Sequence, residues 1–129
     1  MKAILFGSIG TLVETSELQR QSFNLAFKEA GLDWYWNTAT YCKLITEPGG
    51  MKRIRNYDEN TLSDADITKI HGLKEDFFAK LVPEKLYLRP NVKHVLNHAT
   101  TNGLQLGFIT TTSQRNIDLL KAVSYTHLT

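Results

Sequence analysis

The stretch Lys2-Ala3-Ile4-Leu5-Phe6-Gly7-Ser8-Ile9-Gly10-Thr11-Leu12-Val13-Glu14-Thr15 decides how the rest of the chain is read. Lys2 to Phe6 is a short apolar run that stops at a glycine-rich turn, as suits a strand buried in a parallel sheet. Leu104-Gln105-Leu106-Gly107-Phe108-Ile109 is a second run of the same kind, followed by Thr110-Thr111-Thr112-Ser113. Parallel strands need a crossover connection, and everything between these two runs reads as helix and turn. The expected architecture is therefore α/β: residues 2–6 and 104–109 as adjacent parallel strands, with a helical segment from residue 16 to about residue 82 inserted between them.

Working outward, Ser16-Glu17-Leu18-Gln19 has capping-box form and opens a helix to about Ala30, which Gly31 ends. Leu18, Phe23, Ala26, Phe27 and Ala30 give it one apolar stripe. Leu32-Asp33-Trp34-Tyr35-Trp36 is an aromatic link. Asn37 caps a second helix through Ile45, which Glu47-Pro48-Gly49-Gly50 breaks. Met51 to Tyr57 reads as a third helix, carrying Lys52, Arg53 and Arg55. Ser63-Asp64-Ala65-Asp66 caps a longer one, whose apolar positions Ile67, Ile70, Phe77 (or Phe78) and Leu81 recur at helical spacing apart from one skipped turn. Pro83 is expected to end it. Another helix runs from Val92 to about Thr101, closed by Asn102-Gly103, and a last one contains Ile117, Leu119 and Leu120. The packing core expected of the helical segment comprises Phe23, Phe27, Trp34, Ile70, Phe77 and Leu81.

Composition narrows the function classes. The 129 residues carry 15 Lys and Arg against 13 Asp and Glu, a net charge of +2 that is too mild to argue for nucleic acid or a membrane surface. No apolar run approaches the roughly 18 residues of a membrane span. The single cysteine, Cys42, rules out an internal disulfide and fits a cytoplasmic setting. His94 and His98 lie four apart on one helix, but with no third ligand nearby a solvated or capping role is expected for them and for His71, and no metal site. Twelve of the thirteen carboxylates lie between Glu14 and Glu84, and only Asp118 follows. The residues after the second strand therefore offer almost nothing to a hard cation, which wants converging oxygen ligands.

Two segments suit anions. Gly7-Ser8-Ile9-Gly10-Thr11 presents backbone N–H groups in a tight turn, the geometry of an anion nest. Thr110, Thr111 and Thr112 place hydroxyls ahead of a helix N-terminus, which also favours phosphate. Simple turn and capping roles are the alternative for both.

The apolar strand followed by Gly10-Thr11-Leu12-Val13-Glu14-Thr15, then a helix with Gln21-Ser22-Phe23-Asn24-Leu25-Ala26-Phe27, resembles the opening of a haloacid-dehalogenase-superfamily phosphatase. The second strand closed by Thr110 is similar to that superfamily's second motif. Gly49-Gly50-Met51-Lys52-Arg53-Ile54, His71-Gly72-Leu73-Lys74 and Leu88-Arg89-Pro90-Asn91-Val92 narrow the likeness to its helical-capped sugar-phosphate branch. The resemblance implies a Rossmannoid core formed by residues 1–15 and 88–129, incomplete here, with residues 16–87 as the inserted helical cap. It implies Mg²⁺ as the family's cofactor and a small phosphorylated metabolite as partner. It also implies phosphate contacts from Ser8, Gly10, Thr11, Thr110 and Thr111, and substrate contacts from Glu14, Gln19, Gly49, Gly50, Arg53 and Lys74. Arg53 and Lys74 would meet the distal phosphate.

The departures matter as much as the likeness. In the family the first strand ends in Asp-x-Asp, whose first carboxylate attacks phosphorus and binds Mg²⁺ while the second moves the proton. Gly7 and Ile9 hold those positions, and neither side chain can do any of this. Strand alternation turns Ser8 away from the Gly7 direction, which argues against it as a substitute nucleophile. Gln19 stands where many relatives have His, Met51-Lys52 replaces Lys-Glu, and Asn91 replaces Gly. The family's later Lys and acidic-pair motifs are expected to fall past residue 129, and residues 123–129 depart from its usual continuation. The reading is a phosphatase-like chain without catalysis and without a bound cofactor of its own. The alternatives are a phosphometabolite-binding pseudoenzyme and a truncated piece with no independent function.

Overall fold

The computed structural model describes residues 2–7, 10, 12–59, 61–110 and 112–128, with side chains through residue 122. In chain order it contains β1 (Ala3–Gly7), α1 (Ser16–Glu29), α2 (Thr38–Leu44), α3 (Gly50–Asp58), α4 (Asp64–Lys85), α5 (Val92–Thr101), β2 (Gln105–Ile109) and α6 (Gln114–Leu128). β1 and β2 pair in parallel, with Ala3 opposite Gln105 and Gly7 opposite Ile109. The α/β order and the parallel pairing agree with the sequence reading. The chain forms two compact units, residues 16–81 and residues 1–15 with 82–129.

The helical unit is built around aromatic rings. Phe23 and Phe27 of α1 form a triangle of rings with Trp36, with centroids 4.9 and 4.7 Å from its ring and 6.1 Å from each other. Tyr57 of α3 meets Trp34 and Trp36 edge-on at 5.0 and 5.4 Å. Ala26, Tyr41, Ile54, Ile67 and Ile70 complete the buried cluster, with Trp34 and Phe77 partly buried at its margin. Rings of this size bury a large apolar area, and edge-on pairing adds to the hydrophobic term. Trp36 belongs to no helix, so its backbone needs side-chain partners. Asn24 supplies both, donating to the Trp36 carbonyl at 2.9 Å and accepting from its N–H at 2.8 Å. Arg20 donates to the same carbonyl at 2.9 Å. The caps fall where the sequence puts them: the side chain of Asn37 accepts from the Thr40 N–H at 2.8 Å, and Ser63 accepts from that of Asp66 at 3.1 Å. Asp58 is buried and closes the turn into α4 by accepting from the Leu62 N–H at 2.7 Å.

Two expectations are corrected. Pro83 lies inside α4, which continues to Lys85. A proline in the last turn deletes only one helical hydrogen bond, and the pattern resumes with Leu86 N–H donating to the Val82 carbonyl at 3.1 Å. The strands are also more exposed than their apolar composition implies. Leu5 and Ile109 are 66% and 65% exposed, and Leu106 and Phe108 are exposed as well. α5 packs against β2 and α6, with Leu96 and Ala99 buried on α5. Among the described residues the sheet has two strands, so each keeps an unpaired edge and part of its apolar surface. One departure from the family's pattern finds its reason here. Asn91 sits at φ +67°, a left-handed conformation that Asn tolerates better than other non-glycine residues.

These contrasts set local stability, which follows buried apolar contact and the shielding of backbone hydrogen bonds. In hydrogen exchange, the amides of α1 and α4 around Phe23, Phe27 and Ile70 are expected to exchange slowest, and those of Gln105–Ile109 much faster. Equal protection of both groups would contradict this picture.

Candidate functional site

The candidate residues gather in two places, one in each unit. In the strand-bearing unit, parallel pairing puts Gly7 and Thr110 at the same end of the sheet. Gly10 takes φ +85°, and its carbonyl accepts from the Arg89 guanidinium, while the Arg89 N–H donates to the Leu12 carbonyl at 2.8 Å. Val13 forms an antiparallel bridge with Leu88, so Arg89 and its neighbour hold the segment after the glycine turn. Glu14 is exposed just beyond that bridge. Thr110 Oγ1 accepts from the Thr112 N–H at 3.2 Å, and Ser113 Oγ caps α6 by accepting from the Asn116 N–H at 3.2 Å. These loop and cap contacts are of the turn-forming kind. Ser8, Ile9, Thr11 and Thr111 lie outside the described residues.

The donor set at this end of the sheet does not fit Mg²⁺. A hard cation needs several oxygen ligands in near-octahedral array, whereas Gly7 has no side chain and position 9 is a hydrocarbon. Among the described residues no three His, Cys, Asp or Glu side chains come close enough to hold a metal ion.

The second gathering lies wholly within the helical unit. α3 begins at Gly50 after Gly49, which takes φ +104° and gives no side-chain cap, so the positive end of the helix dipole has no capping side chain. Gly50 gives room to the His71 side chain. A Cβ there would come within 2.6 Å of His71 Nε2 on α4. Arg53, one turn into α3, donates from Nε to the Leu44 carbonyl at 3.2 Å and from Nη2 to that of Glu47 at 3.1 Å. Its guanidinium lies 5.8 Å from the Phe23 centroid and 5.7 Å from that of Tyr41.

α4 contributes His71, Lys74 and Glu75, whose three- and four-residue spacings place them on neighbouring parts of one face. The Lys74 ammonium sits 4.9 Å from the Phe23 centroid and 5.4 Å from that of Phe78, and donates to Glu75 Oε1 at 3.1 Å. His71 Nε2 lies 3.4 Å from the same carboxylate oxygen. Burial pushes the Lys74 ammonium below its ordinary range, with Glu75 opposing the shift and Arg53 adding to it. Burial likewise lowers His71, again against Glu75, while the Lys74 and Arg53 charges push the same way as burial. The result is two cations, one carboxylate and a neutral-leaning imidazole beside a helix N-terminus. Such a group can hold an anion, and it contains no activated nucleophile.

Arg53, Lys74, Gly49 and Gly50 of the expected substrate contacts lie around α3 and the Phe23 ring, while Gln19 is buried on α1. Glu75, the packing of His71 against Gly50, and the part played by Arg89 were not read from the sequence.

The profile of the haloacid dehalogenase-like hydrolases matches residues 4–127. Protein CbbY of Rhodobacter capsulatus is 36% identical over 129 residues, covering 97% of this chain and 57% of that protein. CbbY of Cereibacter sphaeroides is also 36% identical, covering 98% of this chain and 57% of its own length. Among solved structures, a CbbY variant from Rhodobacter sphaeroides in complex with xylulose-(1,5)bisphosphate superimposes with a TM-score of 0.85 at 35% identity, over 95% of this chain and 56% of that one. A structure of the same protein with phosphate matches equally well. The chain therefore spans little more than half the length of the relatives it matches. The profile match runs over nearly the whole sequence and the similar folds agree with it, so the chain belongs to the haloacid dehalogenase-like hydrolase family.

Proposed function

We propose that this chain binds a small phosphorylated sugar through its helical unit and does not hydrolyse it. The observation that carries the reading is the convergence of Arg53 and Lys74 on the Phe23 ring, beside the uncapped N-terminus of α3. Two fixed cations beside a helix N-terminus without a side-chain cap favour a phosphate. Arg53 keeps Nη1 for a ligand while Nε and Nη2 hold carbonyls of the protein. The likeness to CbbY, solved with xylulose-(1,5)bisphosphate and with phosphate, supports a sugar phosphate as the ligand class. Gly49 and Gly50 shape the helix end, Gln19 is the helical unit's candidate for a sugar hydroxyl, and Glu14 is a separate candidate in the strand-bearing unit. In the strand-bearing unit, Ser8, Gly10, Thr11, Thr110 and Thr111 remain the proposed contacts for a second phosphate. A cytoplasmic location is the setting in which this ligand class would be met.

Loss of chemistry follows from Gly7 and Ile9. Phosphoryl transfer in this family needs a carboxylate nucleophile and a proton carrier, and the two positions supply neither. A second reading, a piece of a larger core without independent function, is favoured by the exposed apolar faces of β1 and β2.

Xylulose 1,5-bisphosphate is therefore expected to bind the chain without release of inorganic phosphate, with or without Mg²⁺. Arg53→Met should weaken binding about tenfold to a hundredfold, the loss of charge-assisted hydrogen bonds worth about 1.5–3 kcal/mol. Mg²⁺-dependent phosphate release by the purified chain would refute the absence of catalysis. Unchanged affinity in the variant would refute the site.

The lowered His71 fixes the sign of a pH effect. The unfolded chain takes up this proton near about pH 6.5, while the folded chain takes it up only at lower pH. The contribution to stability is therefore complete above about pH 6.5 and is lost as pH falls through the window beneath it. Both tryptophans lie in the helical unit, so their fluorescence reports its melting. The melting temperature should fall between about pH 7 and about pH 5.5, and His71→Gln should flatten that fall. An equal fall in the variant would show that His71 does not cause it.

A further inference from the structure

We propose that Glu75 is a built-in competitor at the helical-unit site, holding Lys74 so that an anion binds only as tightly as it displaces this carboxylate. The inference rests on the anion-binding reading of Arg53 and Lys74 and adds a residue which that reading does not use.

The geometry at Glu75 is unusual in three ways. Adjacent residues on a helix point about 100° apart and do not normally meet, yet Lys74 donates to Glu75 Oε1 at 3.1 Å. The same oxygen faces His71 Nε2 at 3.4 Å, while Oε2 is buried with no hydrogen-bond partner. One oxygen thus takes both contacts and the other takes none. Such a carboxylate is only half satisfied, and its hold on Lys74 is correspondingly open to replacement.

Lys74 is also closed off. Its side chain is 5% exposed and that of Glu75 is 13% exposed. The ammonium lies against the rings of Phe23 and Phe78, and the charged groups around it are Glu75 and His71 on α4 and Arg53 on α3. A ligand reaches this ammonium only by taking the place of the carboxylate. For a monoanion the exchange is one negative charge for another, and nothing is gained at Lys74. For a phosphate dianion the exchange brings one further charge toward Lys74, Arg53 and the α3 N-terminus, and three acceptor oxygens in place of one. Glu75, released, turns to solvent. The residue acts on how tightly the site holds an anion and is not itself a phosphate ligand.

The test uses inorganic phosphate and acetate as probes, with affinities read from titrations of the wild-type chain and of Glu75→Gln, Glu75→Ala, Lys74→Met and the Glu75→Gln/Lys74→Met pair. Wild type is expected to take phosphate near neutral pH in proportion to its dianion and to take acetate far more weakly. Glu75→Gln should tighten both by a similar factor, about tenfold, because the cost of displacing the carboxylate is common to the two anions. Combining it with Lys74→Met should erase that gain. If the Gln variant fails to fold, Glu75→Ala serves. In wild type itself, the Glu75 side-chain carboxyl resonance should move as phosphate is added and stay still with acetate. An unchanged phosphate affinity in a folded Glu75 variant, or a carboxyl signal indifferent to phosphate, overturns the role of Glu75. Phosphate binding that is absent from wild type and every variant overturns the site itself, and this inference falls with it.

Discussion

The ring of Phe23 is the point on which the helical unit depends. One side belongs to the core, where it meets Trp36 at 4.9 Å and Phe27 at 6.1 Å. It also receives the Lys74 ammonium at 4.9 Å and the Arg53 guanidinium at 5.8 Å. A cation near an aromatic face is held by the ring quadrupole, more strongly when shielded from water. The packing that stabilises the unit is therefore the same packing that positions the two cations. Gly50 lets α3 approach α4 closely enough for both helices to contribute, since a side chain there would collide with His71.

Lysine at position 74 is difficult to explain as packing alone. Removing an ammonium from water is costly, and an apolar residue of similar volume would fill the space with less loss. The pairing with Glu75 and the two ring faces reduce that cost, and Arg53 nearby increases it. A charge kept under these conditions supports the proposed anion site, since perturbed ionisable groups gather at functional sites. The strand-bearing unit shows the opposite pattern. Gly10 is tied to Arg89 and Ser113 caps α6, but Gly7, which ends β1, has no side chain. In the proposed function, the helical unit supplies the binding groups, and the strand-bearing unit has glycine and isoleucine at positions 7 and 9.

Much of this was legible in the sequence, for identifiable reasons. The two apolar runs and the long helical stretch between them were enough for a parallel α/β arrangement, because chain connectivity leaves few alternatives. Asn37 and Ser63 cap their helices through contacts that reach only three residues along the chain. The skipped turn in the stripe Ile67, Ile70, Phe77, Leu81 was the visible trace of Lys74, a charge at a position where the helix faces the core. What the sequence concealed depends on distant segments meeting. The unequal use of the two Glu75 oxygens, the fit of His71 against Gly50, and the Arg89 contact to Gly10 arise only once separate elements pack together. The burial of β1 and β2 was overestimated because apolar composition reports what a strand could bury, whereas neighbouring layers decide what it does bury. Pro83 misled because its cost is small in a final helical turn.

The claim that the cluster on α3 and α4 is an anion site is tested most directly by residue-resolved NMR of the chain titrated with inorganic phosphate. The amides of Gly49 to Arg53 and of His71 to Glu75 should shift together along one saturating curve. Shifts confined to the strand ends and the threonine loop, with the cluster unmoved, would contradict it.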